Sequence, residues 1–203
     1  MALDIRTGVD VPLGVARSVV GNLKSKQSAV FLDLLGDRLA SERTAIRLYH
    51  ALLTKRENEQ RGYAGGPTAE QLERIRDEET EHLMIVGDAI DALDGDPAAT
   101  PASADIIGIA GARWVQLLTD PRTSWLEALK VLLAAELVDS DAWRALVELT
   151  EGLRQSRMAA AFHRVLRDEE SHLVQVRAWL SAAIHAQAGL PPRSVDPNDI
   201  WLP

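Results

Sequence analysis

Arg76-Asp77-Glu78-Glu79-Thr80-Glu81-His82 has an echo at Arg167-Asp168-Glu169-Glu170-Ser171-His172. Aligned on their histidines, His82 and His172, the two stretches each place a glutamate three positions earlier, Glu79 and Glu169. Both lie in segments that read as helix. Residues three apart share one helical face, with Cβ atoms about 5–6 Å apart. A carboxylate oxygen and an imidazole nitrogen can then point at a common ion. A lone Glu-x-x-His is weak evidence, since the spacing arises by chance. Two copies with matching flanks carry far more weight.

Two further carboxylates complete the pattern. Glu42 ends Leu39-Ala40-Ser41-Glu42, and Glu136 ends Leu133-Ala134-Ala135-Glu136. Leucines stand three, seven and ten positions before each: Leu39, Leu35 and Leu32 in one copy, Leu133, Leu129 and Leu126 in the other. An aromatic follows each at plus seven, Tyr49 or Trp143. These offsets trace one helical stripe that is otherwise apolar. A carboxylate within such a stripe is costly to bury unless it is protonated, paired or bound to metal.

In an antiparallel helix pair, residues at equal height are equidistant from the turn. The midpoint of Glu42 and Glu79 falls at Gln60–Arg61, beside Gly62-Tyr63-Ala64-Gly65-Gly66-Pro67. The midpoint of Glu136 and Glu169 falls at Gly152–Leu153. Each half therefore reads as a helical hairpin carrying one Glu and one Glu-x-x-His at the same level. Two such halves face to face would converge four carboxylates and two imidazoles. The repeat is coarse: Glu42 to Glu136 spans 94 residues and Glu79 to Glu169 spans 90.

Composition narrows the classes. The chain has 203 residues, enough for one domain with a sizeable core. Aromatics are only 4 %, and Ala, Leu, Glu and Arg favour helix. A formal net charge of −8 argues against a nucleic-acid surface. With no cysteine, disulfides, thiolate zinc sites and cysteine-held iron–sulfur clusters are excluded. No apolar run reaches 18 residues, so no membrane span is expected. Residues 1–14 carry Asp4, Arg6 and Asp10 and have no apolar signal core, which gives the expectation of a cytoplasmic protein.

Taken in order, residues 1–27 read as an N-terminal tail or a strap over the bundle. The bundle is expected over 28–187 and a C-terminal tail over 188–203, where Trp201 is expected to dock on the bundle or on a partner subunit. The first helix is expected over 28–57, with Ser28 as cap and Asp37, Arg38, Arg47, Lys55 and Arg56 on its solvent face. Thr68 with Gln71 fits a capping box that opens a second helix over 69–94. A stretch of about 27 residues follows, too long for a structureless loop. It reads as a crossover with an apolar helix over 104–118, capped by Ser103. A third bundle helix over 123–150, capped by Ser124 or Thr123, and a fourth over 154–187 complete an all-α four-helix bundle with one long crossover.

Glu, Glu-x-x-His, a long crossover, Glu and a second Glu-x-x-His resemble the ferritin-like di-iron carboxylate proteins. Bacterioferritins, rubrerythrins, ribonucleotide reductase small subunits and dimanganese catalases share that pattern or a close variant. The resemblance covers roughly residues 28–187. It implies a ferritin-like bundle in which Glu42 and Glu136 are terminal carboxylates, Glu79 and Glu169 bridge, and His82 and His172 give one nitrogen per metal. It also implies a homo-oligomer, expected as a dimer. This sequence departs from the rubrerythrin arrangement in having no cysteine-ligated iron domain. Its proline-bearing tail does not look like the short fifth helix of cage ferritins. None of Met1, Met84 and Met158 stands as an evident axial haem ligand.

Four carboxylates and two divalent ions sum to neutrality, which suits an apolar core. Oxygen-rich ligation with one imidazole per ion suits two Fe ions, or alternatively two Mn ions, with Zn as a competitor. The expected chemistry is activation of O2 or H2O2, with Fe(II) oxidation as the minimal activity. The alternatives are a dimanganese catalase, an iron-storage bundle, a metal-binding bundle without turnover, and a metal-free bundle that pairs its own buried charges. Each ligand histidine needs a partner for its other ring N–H. Asp139 is a candidate, and so are Glu78 and Asp168, whose plainer role is solvated surface. Tyr49 and Trp143 are candidates for electron relay or simply for core. His50, His163 and His185 fall off the stripe and read as surface or packing residues.

Overall fold

The structure is a computed structural model that describes residues 25–58, 63–99 and 102–191. The described residues form five helices: α1 (Ser25–Asn58), α2 (Ala69–Ala92), α3 (Ala102–Thr119), α4 (Trp125–Gly152) and α5 (Ser156–Gln187). They contain no strand. Of the tail or strap expected at 1–27, residues 25–27 belong to α1 and the rest lies outside the described residues, as does the docking of Trp201.

Local chemistry sets most of the boundaries. Thr68 accepts from the Gln71 N–H while the Gln71 side chain accepts from the Thr68 N–H, so the expected capping box opens α2. Ser124 and Glu127 repeat the device at α4. Ser28 does not cap α1, which already runs from Ser25. Ser103 does not cap α3 either, since the helix starts at Ala102. Gly65 turns the α1–α2 connection with φ 81°, a region open to glycine. Between α4 and α5 the left-handed residue is Arg154, with φ 57°, two positions beyond Gly152.

Two apolar layers define how the helices run. One joins Phe31, Leu35 and Leu39 of α1 to Val86 and Ile90 of α2, Trp143 and Leu146 of α4, and Phe162 and Val165 of α5. The other joins Leu48 and Leu52 of α1 to Leu72 and Ile75 of α2, Leu129 and Leu132 of α4, and Val176 and Trp179 of α5. The start of α1 thus meets the end of α2, and the end of α4 meets the start of α5. Both hairpins are antiparallel, and α2 runs parallel to α4. The chain must therefore travel the length of the bundle between them, and α3 carries it, packed on α1 and touching α4.

Contact between α3 and α1 is close. A Cβ on Gly111 would come within 3 Å of Thr44, whose hydroxyl donates to the Ala40 carbonyl. The solvent face expected for α1 is only partly so. Arg38 is 3 % exposed and Lys55 is 9 % exposed, with the Lys55 ammonium donating to the Thr123 carbonyl at the start of α4.

Between the two apolar layers lies a polar one: Glu42, Glu79, His82, Glu136, Asp139, Glu169 and His172, all buried. Each fully buried leucine above and below it contributes roughly 1.5–3 kcal/mol. That margin is what allows so many carboxylates to stand at one level.

Candidate metal centre

The four bundle helices each contribute to the polar layer. α1 gives Glu42, α2 gives Glu79 and His82, α4 gives Glu136, and α5 gives Glu169 and His172. All six residues predicted from the repeat come together. They form two overlapping groups, Glu42–Glu79–His82–Glu169 and Glu79–Glu136–Glu169–His172, each with its ligand-type atoms within 4.8 Å of one another. Glu79 and Glu169 belong to both, the positions a bridging carboxylate would occupy. The imidazoles of His82 and His172 stack with centroids 5.9 Å apart.

The two halves brace each other crosswise. Trp143 of α4 donates its indole N–H to Glu42 Oε1 of α1 at 2.9 Å. Tyr49 of α1 donates its hydroxyl to Glu136 Oε1 of α4 at 2.5 Å. Each aromatic stands seven after one glutamate and ties down the other. One oxygen of each terminal carboxylate is thus held by an aromatic donor. The other, Glu42 Oε2 or Glu136 Oε2, is buried without a hydrogen-bond partner.

The same holds for the rest of the layer. Both oxygens of Glu79 and of Glu169, and the Nδ1 atoms of His82 and His172, are buried and make no aligned hydrogen bond. His82 Nδ1 stands 2.8 Å from Glu169 Oε1 and 3.6 Å from Glu79 Oε2. His172 Nδ1 stands 3.2 Å from Glu79 Oε1 and 3.7 Å from Glu169 Oε2. These atoms crowd into two overlapping groups. Natural cores leave few buried polar groups unpaired, so such a concentration calls for an explanation.

Outer ring nitrogens are served across the hairpins. His172 Nε2 lies 2.8 Å from Glu78 Oε2, where a carboxylate can only accept and the ring must donate. His82 Nε2 lies 3.6 Å from Asp168 Oδ2, a looser contact at a half-exposed carboxylate. Asp139, considered for this role, goes elsewhere. Its Oδ1 accepts from the Arg38 guanidinium, whose other arm reaches Ser41 Oγ at 2.9 Å. Arg38 itself was expected on the surface. It stands four before Glu42 and so shares that face of α1, which is the signal that marks it.

Proton affinities follow from burial and the charges around each group. Burial, then the neighbouring Asp139, Glu79 and Glu169, pushes Glu42 well above the usual carboxylate range. Burial, then Glu79 and Glu169, does the same for Glu136. Burial alone would raise Glu79, but the facing imidazoles of His172 and His82 outweigh it and hold that carboxyl low. Burial would lower His82, yet Glu169 and Glu79 push it up to about 10. His172 is also raised, against burial, by Glu169, Glu78 and Glu79. Burial pushes Asp139 up to about 7 in spite of Arg38. Burial and the neighbouring charges thus favour protons on Glu42, Glu136, His82 and His172.

A cavity of about 40 Å³ opens beside this layer, beneath α3. Ser41, Thr44, Gly111 and Trp114 line it, exposed Ala110 and Val138 flank it, and Glu79, Glu136 and Asp139 stand in its inner wall. Two of the converged carboxylates, Glu79 and Glu136, thus border this cavity.

Comparison with known proteins gives one family. The model of the ferritin-like domain family matches residues 32–183, well over half of the chain and all six converged residues. No curated protein and no solved structure matches significantly.

Proposed function

The chain belongs to the ferritin-like family, and on that footing we propose that its polar layer holds two divalent ions and that the protein is a di-iron carboxylate oxidoreductase. One observation carries the reading. Eight buried ligand-type atoms make no aligned hydrogen bond: Glu42 Oε2, Glu136 Oε2, both oxygens of Glu79 and of Glu169, and Nδ1 of His82 and of His172. The last six of them crowd together as close Glu–His contacts. Glu79 and Glu169 belong to both groups, and each turns one oxygen toward His82 Nδ1 and the other toward His172 Nδ1. Two ions would satisfy all eight, and their charge would balance the four carboxylates.

Glu42, Glu136, Glu79, Glu169, His82 and His172 would hold the two ions, with Glu42 and Glu136 as terminal carboxylates, Glu79 and Glu169 shared between the ions, and His82 and His172 giving one nitrogen to each. Six protein ligands leave positions open on both ions. When bound, iron supplies the electrons for reduction of O2 or H2O2, with Fe(II) oxidation as the minimal reaction. The protein's own residues keep the site dry, hold the terminal carboxylates through Trp143 and Tyr49, and fix the imidazoles through Glu78 and Asp168. A homo-oligomer, as a dimer, belongs to this reading on family grounds. No described helix is long and apolar enough to cross a membrane.

The donor set of oxygens with one imidazole per ion serves Mn(II) as readily as Fe(II), which keeps a dimanganese catalase as the second reading. Oxygen and peroxide consumption by separately Fe(II)- and Mn(II)-loaded protein decides between them. Rapid O2 or peroxide consumption with iron alone supports the di-iron reading. Peroxide disproportionation with manganese alone moves the assignment to the second reading.

A further inference from the structure

We infer that the cavity beneath α3 is a binding site for a small protic oxidant of the hydrogen peroxide type, with Asp139 as its specificity-determining residue. The cavity's inner wall is not uniformly apolar. Asp139 is 8 % exposed, lines the cavity and keeps Oδ2 without a hydrogen-bond partner. Its other oxygen is engaged by Arg38, so the carboxylate cannot turn away to find another donor. Arg38 also reaches Ser41 Oγ, which fixes the second polar side chain of the lining. Ser41 accepts that bond and keeps its own O–H to donate.

The lining of one small cavity thus holds an unsatisfied acceptor, Asp139 Oδ2, and a hydroxyl with a proton to donate, Ser41. Hydrogen peroxide has O–H groups for Asp139 Oδ2 and lone pairs for the Ser41 hydroxyl. Dioxygen has no hydrogen to give, and seated here it would leave the buried carboxylate unpaired, a costly arrangement. The volume of about 40 Å³ admits only a few atoms. From that position a bound molecule lies against Glu136 and Glu79, two of the converged carboxylates. This inference deepens the proposed function and rests on it for what the oxidant meets, but the binding itself needs no metal.

The test is a titration of the 15N-labelled full-length chain with hydrogen peroxide, with and without redox-silent Zn(II). The amide signals of Gly111 and Ala110 and the indole signal of Trp114 report the cavity, and xenon serves as the apolar comparison. Peroxide is expected to move these signals to saturation with or without Zn(II). The paired replacement Arg38→Met with Asp139→Leu exchanges the ion pair for apolar residues of similar size, a change that buried pairs commonly tolerate. It is expected to raise the peroxide concentration needed by about tenfold or more and to leave the xenon response in place. Ser41→Ala, which keeps the ion pair, is expected to weaken peroxide binding by a smaller factor. If peroxide moves none of these signals, if xenon alone does, or if the variants respond like the parent chain, the inference is overturned. The zinc-free arm reads the cavity alone, so a failure of metal binding would be seen separately.

Discussion

Glu78 on α2 accepts from His172 on α5 at 2.8 Å, although the histidine four residues along its own helix is His82. Asp168 on α5 makes the reciprocal approach to His82 on α2. The same exchange joins Tyr49 to Glu136 and Trp143 to Glu42. Every partner beyond the six converged residues is supplied by the opposite hairpin. Neither hairpin holds a complete site by itself.

This crossing predicts unequal effects at two matched positions. Glu78→Ala removes a close acceptor from a fully buried imidazole and is expected to weaken metal binding about 10–100-fold. Asp168→Ala removes a 3.6 Å contact at an exposed carboxylate and is expected to cost less than the Glu78 change. Competition titration against a chelator of known affinity measures both. Equal losses would mean that the crossed contacts do not orient the rings.

How much of this was legible in the sequence depends on whether a residue has a repeat partner. Glu42 and Glu136, Glu79 and Glu169, His82 and His172, and Tyr49 and Trp143 all match at offsets of 94 or 90. The repeat therefore marked them, and the apolar stripe placed them inside. Arg38 corresponds by the same offset to Leu132, and Asp139 to Ala45. That ion pair breaks the pseudo-symmetry, so a search by repeat passes over it. The crossed partners of the imidazoles were also hidden. Helical spacing ties Glu78 to His82, and only the approach of α2 to α5 redirects it. The crossover helix was expected from the length of the connection, but its seat on Thr44 depends on Gly111, which no periodicity announces.

The Arg38–Asp139 pair should behave as a buried ion pair. Arg38→Ala alone strands a buried carboxylate and is expected to destabilise the fold by about 3–5 kcal/mol. Replacing both, as Arg38→Met with Asp139→Leu, is expected to fall within about 1–2 kcal/mol of the parent. Urea unfolding of the single and paired variants gives the comparison. Equal losses in the two would contradict the burial of the pair.

Gly111 is the tightest point between α3 and α1. Gly111→Val drives a side chain into Thr44 and is expected to cost about 1–3 kcal/mol, lowering Tm by roughly 2–10 °C. It should also alter access to the cavity below α3. A thermal melt checks the first effect, and an unchanged Tm would mean that α3 is not seated on Thr44 through Gly111.

The protons held by the metal-free layer give a pH signature. Glu42, Glu136, His82, His172 and Asp139 all bind protons more tightly when folded. Their contribution is fully present below the unfolded pKa values, near 4–4.5 for the acids and 6.5 for the histidines. It is lost as pH rises, through about 7 for Asp139 and about 10 for His82. Metal-free protein is therefore expected to lose stability steadily between pH 6 and 10. Metal must displace these protons, so loading at neutral pH should release up to about four per pair of ions, and apparent affinity should rise with pH. Calorimetric titration in buffers of different ionisation enthalpy counts them. Loading without proton release would contradict the assigned charge state.

The most direct test of the centre is an anaerobic titration of metal-free protein with Fe(II), followed by calorimetry, on the parent chain and on Glu79→Ala. The account predicts two Fe(II) per chain. Glu79→Ala, which removes a residue common to both groups, should lose tight binding at both positions while circular dichroism still reports a folded helical bundle. No stoichiometric binding by the parent chain, or two ions bound equally well without Glu79, would contradict it and leave a ferritin-like bundle that neutralises its buried carboxylates with protons alone.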